Sequence, residues 1–266
     1  MLMVAGHQDN IINLMKKLKD LFIKKEKKLI PSAELLKGTW QEYKKYAFKF
    51  IELLIYGLIG SLPFLILIFV FFNALVKFEE GLIGFGVLGI LSIFLVAAFV
   101  LMIIWNLRAQ IGSIILLKED YQPSPRESFK KANKYLVPFL GVTALLTVLI
   151  FAWGMLFLLP ALIFGIYYGF AQYVQIAEDK RPFSSIERSY DLVLNYWWPV
   201  FGRFCLLILI GFLVYGLLSV PFFWIGDSGW LFESYNLLIN LIWVLLSPFF
   251  TIYPYKVYKN LVKIKD

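Results

Sequence analysis

The long uncharged stretches of this chain fix its environment. No Asp, Glu, Lys or Arg occurs from Leu53 to Val76, or from Gly81 to Leu107. Leu136 to Ala177 is uncharged for 42 residues. Tyr196 to Ile225 is interrupted only by Arg203, and Tyr235 to Tyr255 by no charge. A helix crosses roughly 30 Å of hydrocarbon with about 20 apolar residues at 1.5 Å each. The 42-residue run would be about 63 Å long as one helix. It therefore reads as a hairpin, turning near Trp153-Gly154 or Leu159-Pro160.

Composition says the same. Hydrophobic residues make up 60% of the chain and charged residues 17%, against roughly 45–50% and about 25% in soluble domains. That balance excludes a soluble enzyme. A single cysteine, Cys205, excludes a disulfide-built domain, and a single histidine, His7, excludes a histidine-rich metal centre. The expected fold is an all-α integral membrane protein with six transmembrane helices. Their approximate spans are 50–76, 82–107, 136–155, 158–177, 197–222 and 234–255.

Charge gives the orientation. The segments expected outside hold one base, Lys77, and four acids, Glu79, Glu80, Asp227 and Glu233, a balance of −3. The rest of the chain carries +11 of the total +8. Basic loops stay in the cytoplasm, so both termini are expected there. Tyr196, Trp197 and Trp198 suit the inner interface, and Trp224 and Trp230 the outer one. No cleavable signal is expected, because the first strong apolar run begins after residue 50.

Residues 1–30 form a basic cytoplasmic segment ahead of the membrane domain, 31–266. Ile11, Leu14, Met15, Leu18, Leu21 and Phe22 share one helical face. Lys16, Lys17, Lys24, Lys25, Lys27 and Lys28 occupy much of the remainder, so this helix suits the anionic headgroups of the cytoplasmic leaflet. A solvated helix packing on a partner protein, or on the chain itself, is the other reading. No nucleic-acid motif is present.

Three connectors resemble one another, starting at Pro31, Pro125 and Pro182. Each has an apolar residue four positions on (Leu35, Phe129, Ile186) and a small one seven positions on (Gly38, Ala132, Ser189). Proline suits the first turn of a helix. The chain thus reads as three tandem two-span repeats, each preceded by an amphipathic cytoplasmic helix. Ala171-Gln172-Tyr173, Glu178-Asp179, Ser185 to Val193 and Tyr196-Trp197-Trp198-Pro199-Val200-Phe201-Gly202 carry a further likeness. With Glu34-Leu35-Leu36, Trp40 and Tyr43-Lys44-Lys45, they resemble the membrane domain fused to some bacterial glycerophosphodiester phosphodiesterases, and related six-span bacterial families. The likeness is strongest over about 45 residues and implies an architecture, not an activity. The spans and connectors leave no stretch for a catalytic barrel.

Chemistry is sparse. No nucleophile–base pattern, phosphate-cradling loop or metal-ligand spacing appears, so no catalytic residue, metal or cofactor is expected. Glu119-Asp120 and Glu178-Asp179 sit beside lysines and arginines and read as paired or solvated acids. Glu52 and Arg203 lie at equal spacing, 21 residues, from Pro31 and Pro182. Unpartnered in hydrocarbon, each would cost roughly 2.5–3.5 kcal/mol on insertion scales. With Arg108, Gln110, Gln172 and Gln175 they form a candidate polar cluster, with a Glu52–Arg203 pair at its centre; snorkelling to the inner interface is the alternative. Three functions fit: a non-enzymatic module that organises or senses the membrane or supports a partner or second copy, a transporter or channel, and, least well, an enzyme of lipid metabolism.

Overall fold

A computed structural model describes residues 29–82, 84–225 and 229–266. Lys16, Lys17, Lys24, Lys25, Lys27 and Lys28 lie outside them. Helix α1 (Ser32–Glu79) is antiparallel to α2 (Phe85–Lys118). A short helix α3 (Pro125–Lys131) and a 3-10 turn (Ala132–Tyr135) lead into α4 (Leu136–Leu156). Then follow α5 (Leu158–Tyr168), α6 (Ala171–Ala177) and α7 (Pro182–Val193). The last elements are α8 (Trp197–Ser219), the single turn α9 (Phe222–Ile225) and α10 (Trp230–Lys265).

Among the described residues, five helical stretches are long and apolar enough to cross a membrane: Ser32–Glu79, Phe85–Lys118, Pro125–Met155, Trp197–Ser219 and Trp230–Lys265. The expected span 158–177 is instead two short helices, of 11 and 7 residues. Ser189 of α7, fully buried, stitches the break: its hydroxyl donates to the Tyr167 carbonyl (2.8 Å) and accepts from the Phe170 amide (3.1 Å). The connector after Pro31 also differs from expectation. It is continuous with the first span, as a 48-residue helix about 72 Å long. Helix-forming Glu, Lys and Ala residues carry it through.

The α1–α2 hairpin is packed along its length. Phe64 meets Phe99 and Phe78 meets Phe85. Gly60 lies so close to α2 that a Cβ there would sit 2.3 Å from Cβ and Cγ of Trp105. Small residues permit such approach where lipid, being as apolar as leucine, supplies little drive to associate. The hairpin of α8 and α10 is looser and meets through side chains: Tyr235 donates to the Leu218 carbonyl, Tyr215 meets Trp243, and Gly211 faces Phe250.

The densest core sits where the helices overrun the apolar stretches. In α2, seven of the nine positions from Ala109 to Leu117 other than Gln110 and Gly112 are buried apolar or serine side chains, whereas Phe85–Leu107 buries only Ala98. Leu35, Phe50, Leu117, Val174, Leu192, Val200, Tyr253 and Leu261 join α1, α2, α6, α7, α8 and α10 in one cluster. Exposed residues such as Ile66, Phe69, Ile93 and Phe212 cover the remaining spans, which suits a lipid solvent.

One packing arrangement departs from an alternating bundle. Ile163 of α5 meets Trp197, whose indole donates to its carbonyl (3.2 Å), and Phe170 meets Phe204. Thus the segment from Ile163 of α5 to Phe170 in the break after it advances in the same direction as α8 where they touch. A fourth and a fifth span would be opposed.

Candidate functional site

The two acid pairs end helices in the same way. Glu119-Asp120 follows α2 and Glu178-Asp179 follows α6, and the second acid of each has a left-handed backbone (φ 46° and 52°). Aspartate tolerates that conformation because its short polar side chain bonds locally. The turn swings the carboxylates towards neighbouring helices.

Asp179 accepts hydrogen bonds from the Tyr135 hydroxyl (2.6 Å) and from Lys118 (3.2 Å), and pairs with Lys134 (3.5 Å). The Tyr135 bond, with Lys118 and Lys134, holds its carboxyl below the usual range. Lys118 also donates to the Ile176 carbonyl (2.7 Å), tying the end of α2 to α6. Glu178 pairs with Lys180 (3.1 Å) and Arg188 (3.4 Å) and accepts from Tyr258 (3.0 Å). Arg188 reaches Asp266 (2.7 Å). Glu119 pairs with Lys131, and Asp120 with Lys259 (3.0 Å).

On α1, Glu42 pairs with Lys256 (2.7 Å) and accepts from Tyr121 (2.8 Å). Burial and Glu42 push the Tyr121 hydroxyl far up, so it stays a donor. Lys49 donates to the carbonyls of Tyr121 (2.6 Å) and Pro123 (3.2 Å). The charged end is thus a belt linking α1, α2, α3, the 3-10 turn, α6, α7 and α10.

Of the six polar residues singled out in the spans, five fall into three groups, not one cluster. Glu52 accepts from Tyr56, whose ring contacts Phe129; Arg108 lies over that same phenylalanine (4.1 Å) and donates to its carbonyl (3.4 Å). Gln172 donates to Thr143 (3.0 Å), Gln175 is buried nearby on α6, and Gln110 is exposed on α2. Arg203 is buried in the third group and forms no ion pair with Glu52. It donates to the carbonyls of Pro199 (2.7 Å) and Ile30 (2.6 Å). The Ile30 amide in turn donates to Asn260 (3.0 Å), so this residue is clamped on both sides. Equal spacing from proline did not bring Glu52 and Arg203 together: Arg203 meets Ile30 at the foot of α1, whereas Glu52 lies about 33 Å further along that helix.

Several grooves open near the belt. One of about 460 Å³ between α1 and α10 is lined by Lys37, Lys256, Lys259 and Lys263, with Glu34, Gln41 and Asn260. A second, of about 340 Å³, holds Lys118, Lys130, Lys131, Lys134, Glu119 and Tyr135. A third, about 620 Å³, is apolar and aromatic, lying between α5 and the start of α8 against Trp197, Trp198 and Phe201. Among the described residues, no group of three or more His, Cys, Asp and Glu side chains is placed to hold a metal ion. Sequence reasoning marked the acid pairs but not Tyr135 or Tyr258, which carry no motif, and it marked Ser189 only as the small residue of its connector.

Compared with known protein families, curated proteins and solved structures, the chain matches none of them.

Proposed function

We propose that this protein is a non-enzymatic, multi-pass module of the cell membrane that organises or senses the cytoplasmic leaflet, with both termini in the cytoplasm. The observation that supports it most directly is the groove of four lysines between α1 and α10. Two of these, Lys256 and Lys259, are paired with Glu42 and Asp120, while Lys37 and Lys263 have no ion-pair partner among the described residues. Cations so placed attract anionic headgroups, at about 1 kcal/mol per Lys or Arg near the surface. Three units, each a connector helix leading to an apolar hairpin, are the architecture this reading uses. In two of them the small connector residue, Ala132 or Ser189, is fully buried, and in all three the apolar one is buried.

Native mass spectrometry from nanodiscs tests the reading. Discs holding phosphatidylglycerol and phosphatidylcholine in equal parts should release the protein with phosphatidylglycerol retained. Lys37→Gln with Lys263→Gln should reduce that retention several-fold. Equal retention of both lipids, unaffected by the substitutions, would sink it. A transporter is the second reading; the aromatic groove beside the broken helix favours it, because interrupted helices commonly border transport sites. Here the freed backbone groups are already taken by Ser189.

A further inference from the structure

We propose that the α4–α5 hairpin does not cross the bilayer but lies along its cytoplasmic leaflet, as an interfacial paddle whose apolar face contacts lipid. The proposal rests on reading α1, α2, α8 and α10 as the spans.

Helix α7 gives the depth. Its outward face carries exposed Glu187 and Asp191. It is pinned to the charged end of α10: Arg188 pairs with Asp266 (2.7 Å), and Lys265 donates to the Leu194 carbonyl (3.0 Å). Helix α7 therefore sits at the level of water and headgroups. Its inward face packs along the hairpin. Pro182 lies against Gly141, and Ile186 is buried with Val142 and Ala171, against which Leu145, Leu146, Leu149 and Tyr168 pack. Further on, Tyr190 meets Tyr167 and Trp197 meets Ile163.

An upright α4 would carry Leu145 to Leu149 about 13–20 Å beyond Leu136, close to the middle of the hydrocarbon. Glu187 and Asp191 would be drawn in beside them, unpaired and desolvated. A hairpin lying flat leaves those acids in water. It also explains why the segment from Ile163 to Phe170 and α8 advance together where they touch, and why α5 has only 11 residues. The face that α7 leaves uncovered is large and apolar. Phe151, Met155, Phe157, Leu158 and Leu159 are 66–84% exposed. Such a surface fits the acyl chains just beneath the headgroups. The same leaflet supplies the anionic lipid that the lysine grooves attract.

Depth measurement by electron paramagnetic resonance decides the matter. In a Cys205→Ser background, single nitroxides replace Val137, Leu140, Val148, Phe151 and Met155, all exposed on α4. The full chain is reconstituted in phosphatidylethanolamine–phosphatidylglycerol liposomes, and depth is read from oxygen against nickel-chelate accessibility. Ile55, Leu62, Ile66 and Phe69 of α1 serve as a reference. The reference should deepen by about 1.5 Å per residue and then shallow again. The α4 labels should show no such gradient, all staying in the outer third of one leaflet. An α4 profile that reaches mid-bilayer like α1 overturns the paddle and leaves the membrane reading intact. A flat α1 profile overturns the spanning reading itself, and the paddle with it.

Discussion

Replacing Ser189 with alanine tests the most economical contact in the structure. One hydroxyl serves two backbone groups freed where α5 gives way to α6. Ser189 is fully buried, so water does not replace it. A buried backbone donor or acceptor left unpaired costs about 1–3 kcal/mol. The Phe170 amide and the Tyr167 carbonyl together put Ser189→Ala at about 2–5 kcal/mol of destabilisation. Ser185→Ala is the control. Ser185 is equally buried, but its hydroxyl donates to the Arg181 carbonyl within its own helix, and that carbonyl already accepts from the Ser185 amide. Its loss should cost under about 1 kcal/mol. The measurement is unfolding in mixed micelles of rising dodecyl sulfate fraction, followed by tryptophan fluorescence. A Ser189→Ala midpoint matching that of wild type, or a Ser185→Ala cost as large, refutes the reasoning that the hydroxyl holds the break.

Three further outcomes are expected. Gly60→Ala should destabilise by about 1–3 kcal/mol, the usual overpacking range, because Trp105 Cβ is fixed to its backbone and cannot swing away. Gly57→Ala meets Asn106 and Ala109 at 3.2–3.4 Å and should be near neutral, so paired melts in detergent separate the two. Asp179→Asn should be less stable than wild type at pH 7. Because the folded carboxyl titrates below its unfolded value, that advantage is complete above about pH 4 and is lost as pH falls through the folded value; a gap that persists unchanged at pH 2.5 contradicts this. Arg203→Gln removes charge-assisted bonds of about 1.5–3 kcal/mol and should speed proteolysis near Ile30, read by mass spectrometry of the fragments.

The uncharged runs made the apolar helices legible, since no charge tolerates hydrocarbon without a partner. The break at Gly169-Phe170 was not legible. It lies inside an uninterrupted apolar run, and the residue that stabilises it is 19 positions away. Ser189 did stand out as the small residue of its connector, but smallness says nothing of a hydroxyl bonding two backbone groups. The acid pairs were read as paired or solvated, and the structure gives Glu178 to Lys180 and Asp179 to Lys118. Tyr135 and Tyr258 escaped notice because each lies among lysines beside an apolar run, where a tyrosine looks like an interface anchor. Arg203 shows the limit of spacing. Equal counts from a proline do not give equal depth when one connector runs straight into its span and the other is a separate helix, and only tertiary packing sets which backbone carbonyl faces the guanidinium.

The clamp on Ile30 sets an order of events during synthesis. Its amide waits for Asn260, made 230 residues later, and its carbonyl for Arg203, made 173 residues later. Until those residues are made, the α1–α2 hairpin is held by its own contacts, Gly60 on Trp105 and Phe64 on Phe99, and by those to the connector that follows it, Arg108 on Phe129 among them. Ile30 is therefore held on both sides only once α10 has been inserted. Resistance of the Ile30 region to protease is then a timer: it reports that the final helix has arrived and docked.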